Sequence, residues 1–342
     1  MLIAERSSDL ERRQSLVTLR DRITATLAPI VSGYTECALV GFPDSANVGD
    51  SAIWLGELAW LHDAGVRVAY RCHERDYDAN MLAQSCPNGV IFLHGGGNLG
   101  DVWPRPQRLR ERVIQDFPRR PIVQLPQTIK FGDRETLARA RRVFDNHPDL
   151  TILVRDVASL DLADEEFRCG AVLCPDMAFY LGALSMSCVK DVDVLWLKRT
   201  DREAVPDNLG AVGSGTVVTD WLDPWPPAVR RLRETFQPLL MRYPRRLRVL
   251  RRYSEATFDY QARQRMNIGC ALLARGSVVV TDRLHGHILS LLLGIPHVVL
   301  DNSYGKVRQF HETWTKSMPH VRWAESPTDA RAAAKELLAW AC

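Results

Sequence analysis

Short apolar runs alternate with helix-patterned segments along the chain, and this alternation constrains the fold more than any other feature. Cys37–Val40, Val66–Tyr70, Gly89–Leu93, Pro121–Leu125, Thr151–Val154 and Val172–Cys174 read as strands. Between them, residues 9–30 place Leu10, Leu16, Leu19, Ile23, Leu27 and Ile30 at helical spacing. Further helices are expected from about Ser51, over Thr136–Phe144 and from Val157. Strands that are apolar throughout are covered on both faces, which is the property of a parallel sheet flanked by helices. The pattern breaks at Leu184–Asp191. It restarts with strands at Val192–Leu197, Gly215–Thr219, Arg246–Leu250, Val278–Val280 and His297–Leu300, and helices at Met266–Ala274, His287–Leu293 and residues 327–341. A length of 342 residues exceeds what one core usually organises. We expect an α/β protein of two Rossmann-like domains, residues 1–188 and 189–342.

Composition removes several classes of function. With 46% hydrophobic and 25% charged residues, the chain is neither disordered nor fibrous. A net charge of +3 is too balanced for a dedicated nucleic-acid binder. The first residues, MLIAERSSDLERRQ, carry charge where a secretion signal needs an apolar stretch. The longest apolar run, Ile288–Leu300, contains Pro296 and His297 and is too short to span a bilayer. These features lead us to expect a cytoplasmic protein. The eight cysteines form no zinc-type spacing, since Cys169 and Cys174 are too widely separated, and read as small buried hydrophobes.

Ligands of parallel sheets bind beyond the carboxyl ends of the strands, so the polar residues just after each strand are the candidates. The first half offers Asn47 and Asp50, then His94-Gly95-Gly96-Gly97-Asn98, Gln127, Arg155-Asp156 and Asp176. The second half offers Lys198-Arg199, Arg283-Leu284-His285 and Lys306. The first set is mostly neutral or acidic, and the second is cationic. A cleft between them would hold a hydroxyl-rich ligand on one side and an anion on the other. GGGNLG formally matches a dinucleotide fingerprint, but it follows a late strand and no acidic residue ends the next one. It reads instead as a strand-to-helix turn whose glycines admit a ligand close to the backbone. Arg283 and His285 fall at a helix N-terminus, where the dipole favours an anion and Arg supplies a planar fork. His285 and His287 point in different directions, which disfavours a metal site. Lys306 follows a glycine turn. Arg199 either faces the same cleft or pairs with Asp201 or Glu203. Asp50 either caps the helix near Ser51 or works on the ligand, and Arg155 with Asp156 could form an ion pair. Trp196, Trp221 and Trp225 suit either the core or a sugar face. Nine arginines between residues 230 and 252, with Glu234 the one acid among them, form a solvated face or attract a phosphorylated or membrane-borne acceptor.

Seven segments carry a resemblance: FPDSANVGDSAIWLGE, IFLHGGGNLGD, LPQTIKF, VRDVASL, CPDMAF, WLKRTDRE and VVTDRLHGHILSLLLGIPHVVLDNSYGKV. In this order, from about residue 37 to about 310, they resemble the polysaccharide pyruvyl transferase family, including its bacterial exopolysaccharide branch. The resemblance implies a fold similar to that of GT-B glycosyltransferases. It also implies transfer of pyruvate from phosphoenolpyruvate to two hydroxyls of a sugar, giving a cyclic ketal and phosphate. By motif, Arg199, Arg283, Leu284, His285 and Lys306 would bind phosphoenolpyruvate. Asn47, Asp50, Gly96, Gly97, Asn98, Gln127, Arg155 and Asp176 would face the acceptor, lipid-linked or free. His285 is expected to be the acid and Asp50 the base, with neither metal nor cofactor required and with the enzyme free or at the inner membrane face. A nucleotide-sugar glycosyltransferase would need a carboxylate for the donor ribose where Arg283-Leu284-His285 stands. A non-catalytic binding protein with a degenerate site is the remaining alternative, and the presence of every expected cation argues against it.

Overall fold

The computed structural model describes the backbone of residues 2–43, 47–206, 213–221 and 248–341. Its first element, α1 (Leu2–Val31), buries Leu16, Leu19, Ile23 and Leu27 on one face, and the chain leaves it through Gly33 at φ +87°. An alternating run follows: β1 (Glu36–Phe42), α2 (Val48–Asp63), β2 (Arg67–His73), α3 (Ala79–Ser85), β3 (Val90–Leu93), β4 (Gly96–Gly100), α4 (Pro104–Asp116), β5 (Ile122–Lys130), α5 (Arg134–Asp145), β6 (Leu150–Val154), α6 (Val157–Glu166) and β7 (Ala171–Leu173). These strands form one seven-stranded sheet in the order β2-β1-β3-β5-β6-β7, with β4 paired to β5. All of its pairings are parallel.

The second half contributes β8 (Val192–Leu197), β9 (Thr216–Thr219), α7 (Arg248–Ala274), β10 (Gly276–Thr281), α8 (Leu284–Leu293), β11 (His297–Val299), α9 (Lys306–Phe310), β12 (Val321–Trp323) and α10 (Pro327–Ala341). Its five strands make a second parallel sheet in the order β12-β11-β10-β8-β9. The α/β class and both parallel sheets follow the periodicity of the sequence.

Several local expectations need correction. GGGNLG does not turn into a helix: residues 96–100 form β4 against β5. Gly96 and Gly100 adopt φ of +127° and +129°, and a Cβ on Gly100 would lie 1.8 Å from the Lys130 carbonyl oxygen. These glycines therefore fit an irregular strand. β5 runs past Leu125 because Pro126 coincides with a register shift between Gln124 and Gln127, where its missing N–H costs little. Residues 248–250, expected in a strand, open α7. The basic stretch 230–252 lies for the most part outside the described residues, as does Trp225.

One apolar cluster joins the two halves. Leu39, Trp54, Leu195 and Ile288 belong to it together, and Phe42 stacks on Phe258 of α7 with centroids 4.3 Å apart. α1 also spans the halves, because Arg12 donates to the carbonyls of Leu291, at 2.7 Å, and Leu292 at the end of α8. Among the described residues, no helix is long and apolar enough to cross a membrane.

Candidate active site

The carboxyl ends of both sheets open onto a shared cleft of about 870 Å³. Ten of the expected residues line it: Asn47, Asp50, Gly97, Asn98, Arg155, Arg199, Arg283, Leu284, His285 and Lys306. Gly96, Gln127 and Asp176 stand behind the wall. Gln127 accepts from the Asn98 N–H at 2.9 Å and donates to Asn98 Oδ1 at 3.0 Å. Gly96 packs beside Ile53. Asp176 reaches forward to two of the lining groups.

The strand-to-helix junctions position these side chains. After β1 the chain enters α2 at Val48, earlier than its apolar pattern suggests, and Asn47 is the N-cap, accepting from Gly49 N–H at 3.2 Å. Asp50 sits in the first turn, half-buried on the cleft. After β10, Arg283 is the N-cap residue of α8, and Leu284 and His285 begin a helix that is buried from Leu284 to Leu292. α2 and α8 meet so closely that a Cβ on Gly49 would lie 2.2 Å from His285 Nδ1.

The donor-side groups converge, but each cation has a carboxylate partner. Arg283 forks onto Asp220, with Nη2 2.7 Å from Oδ2, and also reaches Asp201 at 3.3 Å. Arg199 pairs with Asp201 at 2.8 Å and Glu203 at 2.9 Å. Lys306 Nζ lies 2.5 Å from Glu203. The surface pairing considered for Arg199 is thus a buried one. The expectation of a plainly cationic half is corrected to that of a charge-matched cluster, since Asp201, Glu203 and Asp220 fold in beside the cations. Burial pushes the Lys306 ammonium down to about 8, against the pull of Glu203. Burial opposes ionisation of Glu203, but Lys306 and Arg199 hold it at about 2.

Arg155 does not pair with Asp156. Its Nη1 donates to Asp176 at 2.6 Å, while Asp156 caps α6 and accepts from Thr128. Asp176 also lies 3.3 Å from His285 Nε2. Burial resists its charge, yet His285 and Arg155 keep it well below the usual carboxylate range. The two halves touch across the cleft rim: Trp103 Nε1 donates to Glu203 at 3.1 Å, and Arg202 lies over the Trp103 ring. Of the candidate tryptophans, Trp221 lines the cleft and Trp196 is core.

Sequence reasoning missed Glu57. It is wholly buried on α2, with its carboxylate 2.8 Å from His94 Nδ1 and 2.8 Å from the Gly95 N–H. A lone acid within the apolar run AIWLGELAW was the available signal. His94, noted only as a strand-end residue, lines the cleft.

Known proteins resemble the chain over most of its length. The profile described as "Polysaccharide pyruvyl transferase" matches residues 47–304. The chain is similar to Pyruvyl transferase 1 of Schizosaccharomyces pombe, at 33% identity over 88% of this chain and 75% of that one. It is also similar to EpsO of Bacillus subtilis, provisionally named a pyruvyl transferase, at 30% identity over 92% and 95% of the two chains. A crystal structure of a functionally uncharacterised Klebsiella pneumoniae protein shares the fold, with a TM-score of 0.58 at 17% identity over 89% of this chain and 99% of that one. With its ordered motifs, its paired parallel sheets and a match across three-quarters of its length, the chain belongs to the polysaccharide pyruvyl transferase family.

Proposed function

We propose that the cleft transfers pyruvate from phosphoenolpyruvate to two hydroxyls of a sugar in a polysaccharide or its lipid-linked precursor, forming a cyclic ketal and releasing phosphate. The supporting observation is the convergence of Arg199, Arg283 and Lys306 around His285 on one cavity, with Arg155 lining it from the acceptor side. Phosphoenolpyruvate carries a phosphate and a carboxylate, and planar guanidinium forks suit both. Asp201, Glu203 and Asp220 hold the cations oriented in a low-dielectric wall until the donor supplies its own charge. Residues 189–342 would form the donor side and residues 1–188 the acceptor side, in a GT-B-like arrangement.

His285 gives a proton to C3 of the donor, and C2 gains oxocarbenium character. The first sugar hydroxyl bonds to C2 as Asp50 takes its proton. The bond from C2 to the phosphate oxygen then breaks, and the second hydroxyl closes the ketal as its proton leaves. One of the two hydroxyl protons replaces the one delivered to C3. The other departs on phosphate, so the protein groups return to their starting states. Cations that stabilise the departing phosphate act in the transition state.

Thermal melting with ligands tests this reading. Phosphoenolpyruvate raises the melting temperature and a uridine diphosphate sugar does not. The reverse result would indicate a glycosyltransferase. Arg283→Ala removes most turnover in a protein that still folds, and survival of turnover would displace the donor site.

A further inference from the structure

The ketal requires a proton to be taken from each of two hydroxyls, and the groups named above provide one acceptor. We infer that His94, held by Glu57, is a second proton-accepting residue of the cleft and serves one of the two acceptor hydroxyls. This rests on the transferase reading proposed above.

His94 follows β3 and lines the acceptor side of the cleft. Its backbone is fixed from two sides: its N–H donates to the Val40 carbonyl at 2.9 Å, and its carbonyl accepts from Gln124 and Gln127. The ring is fixed as well. Nδ1 meets Glu57 at 2.8 Å, and Trp54 packs edge-on with centroids 5.8 Å apart. Carboxylate contact places the proton of the neutral ring on Nδ1, which leaves Nε2 as the acceptor.

That Nε2 is shielded from bulk water and has no hydrogen-bond partner among the described residues. Other buried histidines differ. His147 uses both ring nitrogens, one on the Phe117 carbonyl and one on the Asp149 N–H. His287 bonds His297 and Thr315, and His297 bonds His287 and the Ile295 carbonyl. These three histidines, away from the cleft, are satisfied at both nitrogens. An orphaned nitrogen at a cleft wall calls for a ligand atom.

Glu57 is the positioning residue. It stabilises the imidazolium that forms when Nε2 takes a proton, as a carboxylate does behind a catalytic histidine. Burial alone pushes His94 down, but the Glu57 carboxylate, with Asp50 and Asp176 facing the same ring, holds it above the ordinary histidine value. In the proposed step the O–H bond of a sugar hydroxyl breaks, its oxygen pair bonds to C2, and its proton passes to Nε2. The proton then leaves on phosphate.

The test uses the full chain, radiolabelled phosphoenolpyruvate and, as acceptor probe, the lipid-linked oligosaccharides extracted from cells lacking this gene. Label transfer is followed from about pH 5 to about pH 9, a range that brackets histidine titration. His94→Gln is expected to lose about a hundredfold in kcat while its Kd for phosphoenolpyruvate stays within about twofold. Imidazole in the buffer partly restores His94→Ala. Glu57→Gln lowers the plateau and moves the acid limb to lower pH, because the ring loses its anionic neighbour; a merely structural carboxylate would leave the limb in place. Wild-type turnover with His94→Gln within about threefold of it, or an unmoved limb in Glu57→Gln, overturns the inference alone. If the wild type transfers no label and releases no phosphate, the transferase reading fails and this inference falls with it.

Discussion

A lysine ammonium enclosed by protein holds its proton weakly, and Lys306 is such a group: burial brings it to about 8 despite Glu203 at 2.5 Å. Donor affinity should therefore fall as pH rises through about 8, measured as Kd for phosphoenolpyruvate by calorimetry. The same titration has the opposite sign for the fold. Between about 8 and an exposed lysine's 10.5 the unfolded chain binds more protons than the folded one, so this group adds stability as pH rises. Arg283 carries a geometric demand as well as charge. Its fork on Asp220 fixes the guanidinium plane, so Arg283→Lys should weaken donor binding at least about tenfold, visible in the same titration. Arg199, Arg283, His285 and Lys306 were legible in the sequence because each follows a strand. The pairing of Glu57 with His94 was not, because it depends on which face of α2 turns toward the end of β3.

At the scale of elements, the meeting of α2 and α8 decides where His285 stands. Gly49 makes that approach possible, because a Cβ there would overlap the imidazole. Gly49→Ala should cost about a hundredfold in kcat by displacing the ring, with the parallel sheets intact by circular dichroism. Asn47→Ala should lower stability by about 1 kcal/mol through loss of the α2 cap, read from denaturant melts. The start of α2 was legible only to within a few residues. Apolar periodicity marks where a helix buries a face, whereas the chain turns helical one cap earlier. β4 was misread for a related reason: glycines signal backbone freedom, and the pairing with β5 is set by a strand thirty residues away.

At the scale of the molecule, the apolar cluster continues from one sheet to the other and α1 is fastened to both. Calorimetry should show one cooperative transition rather than two, shifted upward by phosphoenolpyruvate. Arg12→Ala should lower stability by about 2 kcal/mol, because the Leu291 and Leu292 carbonyls at the end of α8 lose their buried guanidinium donor. The α/β class, the two sheets and the cations at the strand ends are properties of local pattern, and the sequence determined them unaided. Periodicity is written residue by residue, and strand ends follow from it. Only the tertiary structure decided that every donor-side cation meets a carboxylate, that Arg155 answers Asp176 rather than its neighbour, and that His94 Nε2 faces the cleft without a hydrogen-bond partner among the described residues. These outcomes arise from contacts between segments distant in the chain, whose distances close only when both sheets pack around the shared core.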